Sequence, residues 1–193
     1  MSSEEEKYIA RREAQKKEDA MRERQLEAIK DQERDKIKGE LETTDELAQE
    51  ALELGFDSTT ARVLPLIPLI EVAWADGTVT SAENRTVLEL AEKYGIEAGS
   101  PSHNFLKMLL FEEPSDVFFE RVNRVIAHLV SENPEHWSDM SVIELSKQVA
   151  QASGGLFGLL ESVSEEEREV IEELAELFSV QDKSARRIEP EGS

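Results

Sequence analysis

From residue 43 onward, apolar positions recur three and four residues apart, the spacing that places them on one face of an α-helix. No convincing apolar–polar alternation marks a strand. The pattern therefore predicts an all-α fold, a compact helical bundle of about seven helices between residues 43 and 178. Each segment carries its own punctuation. "TTDELAQEALELGF" opens with Thr43 and Glu46 at capping-box spacing and stops at Gly55, a residue suited to a left-handed helix end. "DSTTARVLPLIPLIEVAWADG" is greasy and helical, with Asp57 as its N-cap; Pro65 and Pro68 mark a break and a fresh start. "TSAENRTVLELAEKYG" runs from Thr80 to Gly95, and "SPSHNFLKMLLF" begins with Ser100 as cap and Pro101 at the first helical position. Three more helices read from Ser115 to the Asn133-Pro134 break, through "SDMSVIELSKQVAQASGG" to Gly154-Gly155, and from Ser164 to Phe178.

Residues 1–40 have a different texture, with 11 Lys/Arg and 12 Asp/Glu, so they are dense in charge yet almost neutral. Tyr8, Met21, Leu26, Ile29 and Ile37 are too sparse to make a heptad seam. Glu13 with Lys17 and Glu18 with Arg22 favour helix, whereas Glu23, Glu27, Asp31 and Asp35 form a column of like charge that opposes it. Residues 1–42 thus read as a charged arm, helical or disordered. Residues 43–180 read as the helical domain and 181–193 as a flexible tail.

The domain repeats itself. Val72, Ala73, Ala75 and Gly77 recur as Val149, Ala150, Ala152 and Gly154. Val79, Thr80 and Glu83 recur as Val163, Ser164 and Glu167, and Val87, Leu90, Ala91 and Tyr94 as Ile171, Leu174, Ala175 and Phe178. Two pseudo-repeated helix–loop–helix halves around a shared core are expected, the second with a longer loop. The copies differ at Asp76, replaced by Ser153, and at Trp74, replaced by Gln151.

Two readings of the first corner, "VAWADGTVTSAE", stay open. Thr80 with Glu83, and Ser164 with Glu167, are spaced as capping boxes, which accounts for both pairs structurally. Alternatively, Asp76 and Glu83 from a tight loop and the next helix start converge on a hard cation, Ca2+ or Mg2+ by ligand type, with Glu167 completing the set. The spacing is not that of an EF-hand: the twelfth position from Asp76 is Val87 and the sixth is Ser81.

Charge and composition narrow the classes. The formal net charge of -21 disfavours nucleic acid and anionic membrane surfaces and favours basic partners or cations. There is no cysteine, so disulfides, thiolate ligands and a cysteine nucleophile are excluded. The N-terminus has no apolar signal-like run, and the stretch from Val63 to Ala75 is broken by Pro65, Pro68 and Glu71. A cytoplasmic protein without a transmembrane segment is expected. His103, His128 and His136 are scattered without zinc-site spacing. Trp74 and Trp137 read as core or near-core aromatics. Leu156, Phe157, Leu159 and Leu160 read as a cap on the core or an exposed partner patch.

"PLIEVAWADGTVTSAENRTVLELAEKYGI" and the later "VAQASGGLFGLLESVSEEEREVIEELAELF" together resemble the TerB-like family, named for a bacterial tellurite-resistance protein. The resemblance covers roughly residues 60–178 and rests on "A-x-A-D-G" followed by "V-[ST]-x-x-E". It implies a compact helical domain with acidic helix junctions suspected of metal binding, and roles in stress, tellurite and phage resistance and in membrane-linked protein complexes. Asp76, Glu83 and Glu167 carry over as suspected ligands; Ser153 departs from the acidic pattern. The expected function is a non-catalytic, acidic interaction or stress-response module with a protein partner, tuned by a divalent cation. A metal-free adaptor whose arm binds a partner is the first alternative, and an uncharacterised hydrolase the second.

Overall fold

Hydroxyl caps set most of the helix starts. The computed structural model describes residues 3–132, 142–153 and 163–186. Helix α1 spans Ser3–Leu41 and α2 Asp45–Glu53. A 310 segment, Ala61–Leu66, leads into α3, Ile67–Trp74. Then come α4 (Ser81–Lys93), α5 (Pro101–Phe111), α6 (Asp116–Glu132), α7 (Val142–Ser153) and α8 (Glu165–Arg186). The fold is all-α, with no strand among the described residues.

Ser100 accepts from the His103 N–H at 3.1 Å and Ser115 from the Phe118 N–H at 3.3 Å, so α5 and α6 start where their hydroxyls predict. The prolines also act as expected: Pro65 lies in the 310 segment and Pro68 in the first turn of α3, where a missing N–H costs nothing. Asp57 organises the preceding turn, its Oδ1 accepting from the N–H groups of Thr59 and Thr60 at 2.8 and 2.9 Å.

Two boundaries differ from expectation. The cap of α2 is Thr44, which accepts from the Leu47 N–H, and not Thr43. The reason lies upstream: α1 continues to Leu41, and Glu42 takes a left-handed conformation (φ 49°) that lets the Thr43 N–H return to Lys38 O. The Thr43 hydroxyl donates instead to Glu132 on α6. At the other end, α8 continues past Phe178 to Arg186, since no Gly or Pro interrupts that stretch.

Helix α3 is the hub. Seven of its eight residues are apolar, and a helix greasy on every side must be surrounded. It touches α4, α6, α7, α8 and the 310 segment. Helix α7 packs on both α3 and α4, while α6 and α8 pair on another flank. Phe56, fully buried, sits edge-on to Phe105 at 5.6 Å between centroids and stacks with Phe118 at 6.3 Å. The Trp74 indole N–H donates to Leu109 O at 2.9 Å, tying the end of α3 to α5.

The arm is one helix that joins this body at its end. Every described side chain from residue 11 to 32 is exposed, yet Ile37 and Leu41 are buried in the core. Polar contacts surround that anchor: Ser58 N–H donates to Glu33, Arg62 pairs with Glu40, and Lys38 with Asp45. The expected stops at Asn133-Pro134 and Gly154-Gly155 lie outside the described residues, as do Trp137, His136 and the apolar residues Leu156, Phe157, Leu159 and Leu160.

Candidate functional site

The two capped corners carry the acidic residues read from the sequence. At the first, α3 ends and Gly77 adopts φ 82°, its N–H returning to Trp74 O at 2.7 Å. Only glycine holds that backbone region without a Cβ penalty. Thr80 then caps α4 with both halves of a capping box: Glu83 N–H donates to the Thr80 hydroxyl at 3.2 Å, and Thr80 N–H to Glu83 Oε2 at 2.7 Å. The second corner repeats these bonds. Glu167 N–H donates to the Ser164 hydroxyl at 3.0 Å, and Ser164 N–H to Glu167 Oε2 at 2.6 Å.

A glutamate that only caps a helix normally sits at the surface. These two do not: Glu83 is 2% and Glu167 3% exposed. Glu167 lies near enough to Glu83 to act on its carboxyl. Burial pushes the Glu83 carboxyl above its ordinary range, Glu167 pushes it further, and the Thr80 N–H and hydroxyl pull in the opposite direction. Two negative charges held close together in a buried place repel, which is how Glu167 raises the Glu83 carboxyl.

Asp76 is placed elsewhere. It is exposed, and its Oδ1 accepts from the Thr78 N–H at 2.9 Å and the Thr78 hydroxyl at 3.1 Å, a turn closed within its own loop. Of the three suspected ligands, Glu83 and Glu167 therefore meet and Asp76 supports the loop between α3 and α4. Among the described residues no three His, Cys, Asp or Glu side chains gather closely enough to hold a metal ion. Glu161, a conceivable substitute from the second loop, lies outside the described residues.

Sequence reasoning missed a second acidic feature, a cavity of about 550 Å³ lined by α3, α6, α8 and the approach to α6. At its wall the Asn123 amide N–H donates to Glu71 Oε2 at 2.5 Å. Burial raises the Glu71 carboxyl above its ordinary range; the Glu173 and Asp116 charges add to this, and the Asn123 bond opposes it. Asn123 is 4% exposed, and its Oδ1 is buried with no hydrogen-bond partner. A signal for both residues stood in the sequence. Glu71 is the single charge in α3, and Asn123 falls on the same helical face as Phe119, Val122 and Ile126.

Comparison with known proteins returns no matching family model, no matching curated sequence and no matching solved structure.

Proposed function

We propose that this chain is a non-catalytic, acidic interaction or stress-response module of TerB-like kind, in which the Glu83–Glu167 pair takes up either a proton or a divalent cation. The observation that carries the reading is the meeting of two capping glutamates from two like corners. It is what a duplicated pair of helix–loop–helix halves facing one another produces. A buried pair of carboxylates suits Ca2+ or Mg2+, because one divalent cation neutralises both.

The test is thermal unfolding near pH 7.5 with Ca2+, Mg2+, Mn2+ or Zn2+. One of these ions at tenfold excess over its Kd is expected to add about 1.4 kcal/mol, or ~3–6 °C in Tm. Glu83→Gln, which can still serve in a capping box, is expected to lose the shift. Asp76→Ala is expected to keep it. No shift with any of the four ions at millimolar concentration sinks the cation reading.

A second reading, a metal-free adaptor that captures a protein through its arm, is favoured by the unbroken exposure of residues 11–32 on α1. A helix segment polar all round presents charged side chains in every direction. Deleting residues 1–32 spares the Ile37 and Leu41 anchor and is expected to leave Tm within about 2 °C, a change of under ~0.5 kcal/mol. Pull-downs with the shortened chain are expected to lose partners that the full chain retains; identical recoveries count against the adaptor.

A further inference from the structure

Among the described residues, large apolar side chains stand exposed in two places only. One is α1, which exposes Tyr8, Ile9, Met21, Leu26 and Ile29. The other is the passage from α5 into α6, where Met108, Phe111 and Val117 are 51%, 87% and 63% exposed. The two places carry opposite charge. Around Tyr8 and Ile9, residues 7–17 hold Lys7, Arg11, Arg12, Lys16 and Lys17 against Glu13 alone, a net charge of +4 in a chain of -21. Phe111 and Val117 bracket Glu112, Glu113 and Asp116, so residues 111–117 carry -3, with Lys107 one turn back on α5. Neither these five cations nor these three acids form an ion pair among the described residues. Phe111 stands out most, since an aromatic ring left almost wholly in water forfeits the free energy of its burial.

The two places do not meet within one chain. Helix α1 has no proline, and no glycine before Gly39, and every described side chain from residue 11 to 32 is exposed. At ~1.5 Å per residue, Lys17 stands roughly 30 Å and Lys7 roughly 45 Å along the helix from the anchor at Ile37. A helix without a kink-forming residue does not fold back over that distance. The basic segment is therefore held away from its own body, and another molecule must supply the acids. A second copy carries the matching surface by identity of sequence. Tyr8, Ile9, Arg12 and Lys16 fall on one side of α1, at three- and four-residue spacing, so two apolar side chains and two cations face the same way. Bodies of like charge repel at contact, but arms of this length keep them several times the ~8 Å Debye length apart. A two-fold pair uses the contact twice, each arm on the other body, so each contact needs only about 600 Å² of the roughly 1,200 Å² of a specific interface.

We propose that the side of α1 bearing Tyr8, Ile9, Arg12 and Lys16 docks on the Phe111–Val117 surface of a second copy of this chain, its cations meeting Glu112, Glu113 and Asp116. This docking rests on the adaptor reading and names its partner; it does not depend on the Glu83–Glu167 pair.

The experiment is sedimentation velocity of the full chain at 0.15 M salt, over concentrations from about 1 to 100 μM. A rise from one to two chain masses with concentration is expected, and it weakens at 1 M salt, where the Debye length is about 3 Å. Phe111→Ser, at a side chain already in water, is expected to weaken association by about 10–100-fold. The arm variant Arg12→Glu/Lys16→Glu and the surface variant Glu112→Lys/Glu113→Lys are each expected to remain single chains. Mixed together they are expected to pair, because the reversed arm then meets a reversed surface and the native arm a native one. Glu50→Lys/Glu97→Lys reverses two exposed carboxylates elsewhere on the body and is expected to associate as the wild type does, which controls for overall charge. Circular dichroism checks that each variant is folded. A full chain that stays single throughout the range overturns docking on a second copy, while the pull-downs with the shortened chain still decide the adaptor reading. Equal weakening by the Glu50→Lys/Glu97→Lys control, association untouched by Phe111→Ser, or no pairing on mixing overturns it as well.

Discussion

Ile37→Ala destabilises the protein by about 2–5 kcal/mol, the cost of truncating a fully buried aliphatic side chain, and lowers Tm by roughly 4–20 °C. That is the expected result although Ile37 sits in a segment whose composition reads as a solvated arm. Ile37 is fully buried and Leu41 nearly so, and α1 packs against α2 and the 310 segment. The surrounding polar contacts contribute little by comparison: Lys38 with Asp45 and Arg62 with Glu40 are largely solvent-facing ion pairs, worth about 0–1 kcal/mol each. The matching control is Leu26→Ala. Leu26 is 55% exposed on the same helix, and its truncation is expected to move stability by no more than about 0.5 kcal/mol. Urea unfolding of the two variants decides the matter. Equal midpoints would mean that the end of α1 is not docked in the core.

Stability falls as pH rises through the raised folded pKa values of Glu83 and Glu71, and Glu83→Gln removes the Glu83 part of that slope. The sign follows from proton linkage. Glu83 and Glu71 both hold their protons more tightly folded than unfolded, Glu83 through burial and Glu167, Glu71 through burial and the nearby charges of Glu173 and Asp116. Their contribution is complete below the unfolded carboxyl pKa of about 4.3 and is lost as pH rises through the raised folded values. Glu83→Gln keeps the capping geometry and puts a permanent donor opposite Glu167. Above the raised Glu83 value it is expected to exceed the wild type by on the order of 1.5–3 kcal/mol, the size of one hydrogen bond to a charged group. Below the unfolded carboxyl pKa of about 4.3 the two converge. Urea midpoints across a pH series starting at the unfolded value measure it; a wild-type profile that climbs with pH above that value contradicts the assignment.

Much of the fold could be read along the chain because local chemistry dictates it. Ser100 with Pro101, Thr80 with Glu83, and Ser164 with Glu167 announce helix starts through bonds that close within three residues. Where a boundary depended on a neighbouring element, it shifted. Thr43 and Thr44 are equally good caps in sequence, and the overrun of α1 decides between them. The candidate site was legible in its residues and not in its assembly. Glu83 and Glu167 stood out through repetition, but their contact is a product of α4 and α8 being brought together, which no local pattern encodes. Asp76, which has no counterpart in the second copy, read as a third suspected ligand, and it closes a turn with Thr78. The cavity escaped notice because Glu71 registered as an interruption of a greasy run and Asn123 as one polar residue among many.

The long arm also divides the molecule's electrostatics. Residues 1–40 carry a net charge of -1, so the remainder carries -20 of the total -21. Residues 3–32 add roughly 45 Å of helix at ~1.5 Å per residue, whereas the Debye length at physiological salt is ~8 Å. The tip of α1 therefore lies several screening lengths from the anchor at Ile37 and hardly feels the field of the body. A negatively charged surface that the body repels meets no such barrier at the tip, where lysines and arginines alternate with acids along the helix. The two ends of one chain can thus tolerate neighbours of opposite charge, and diluting the salt lengthens the body's reach until that independence disappears.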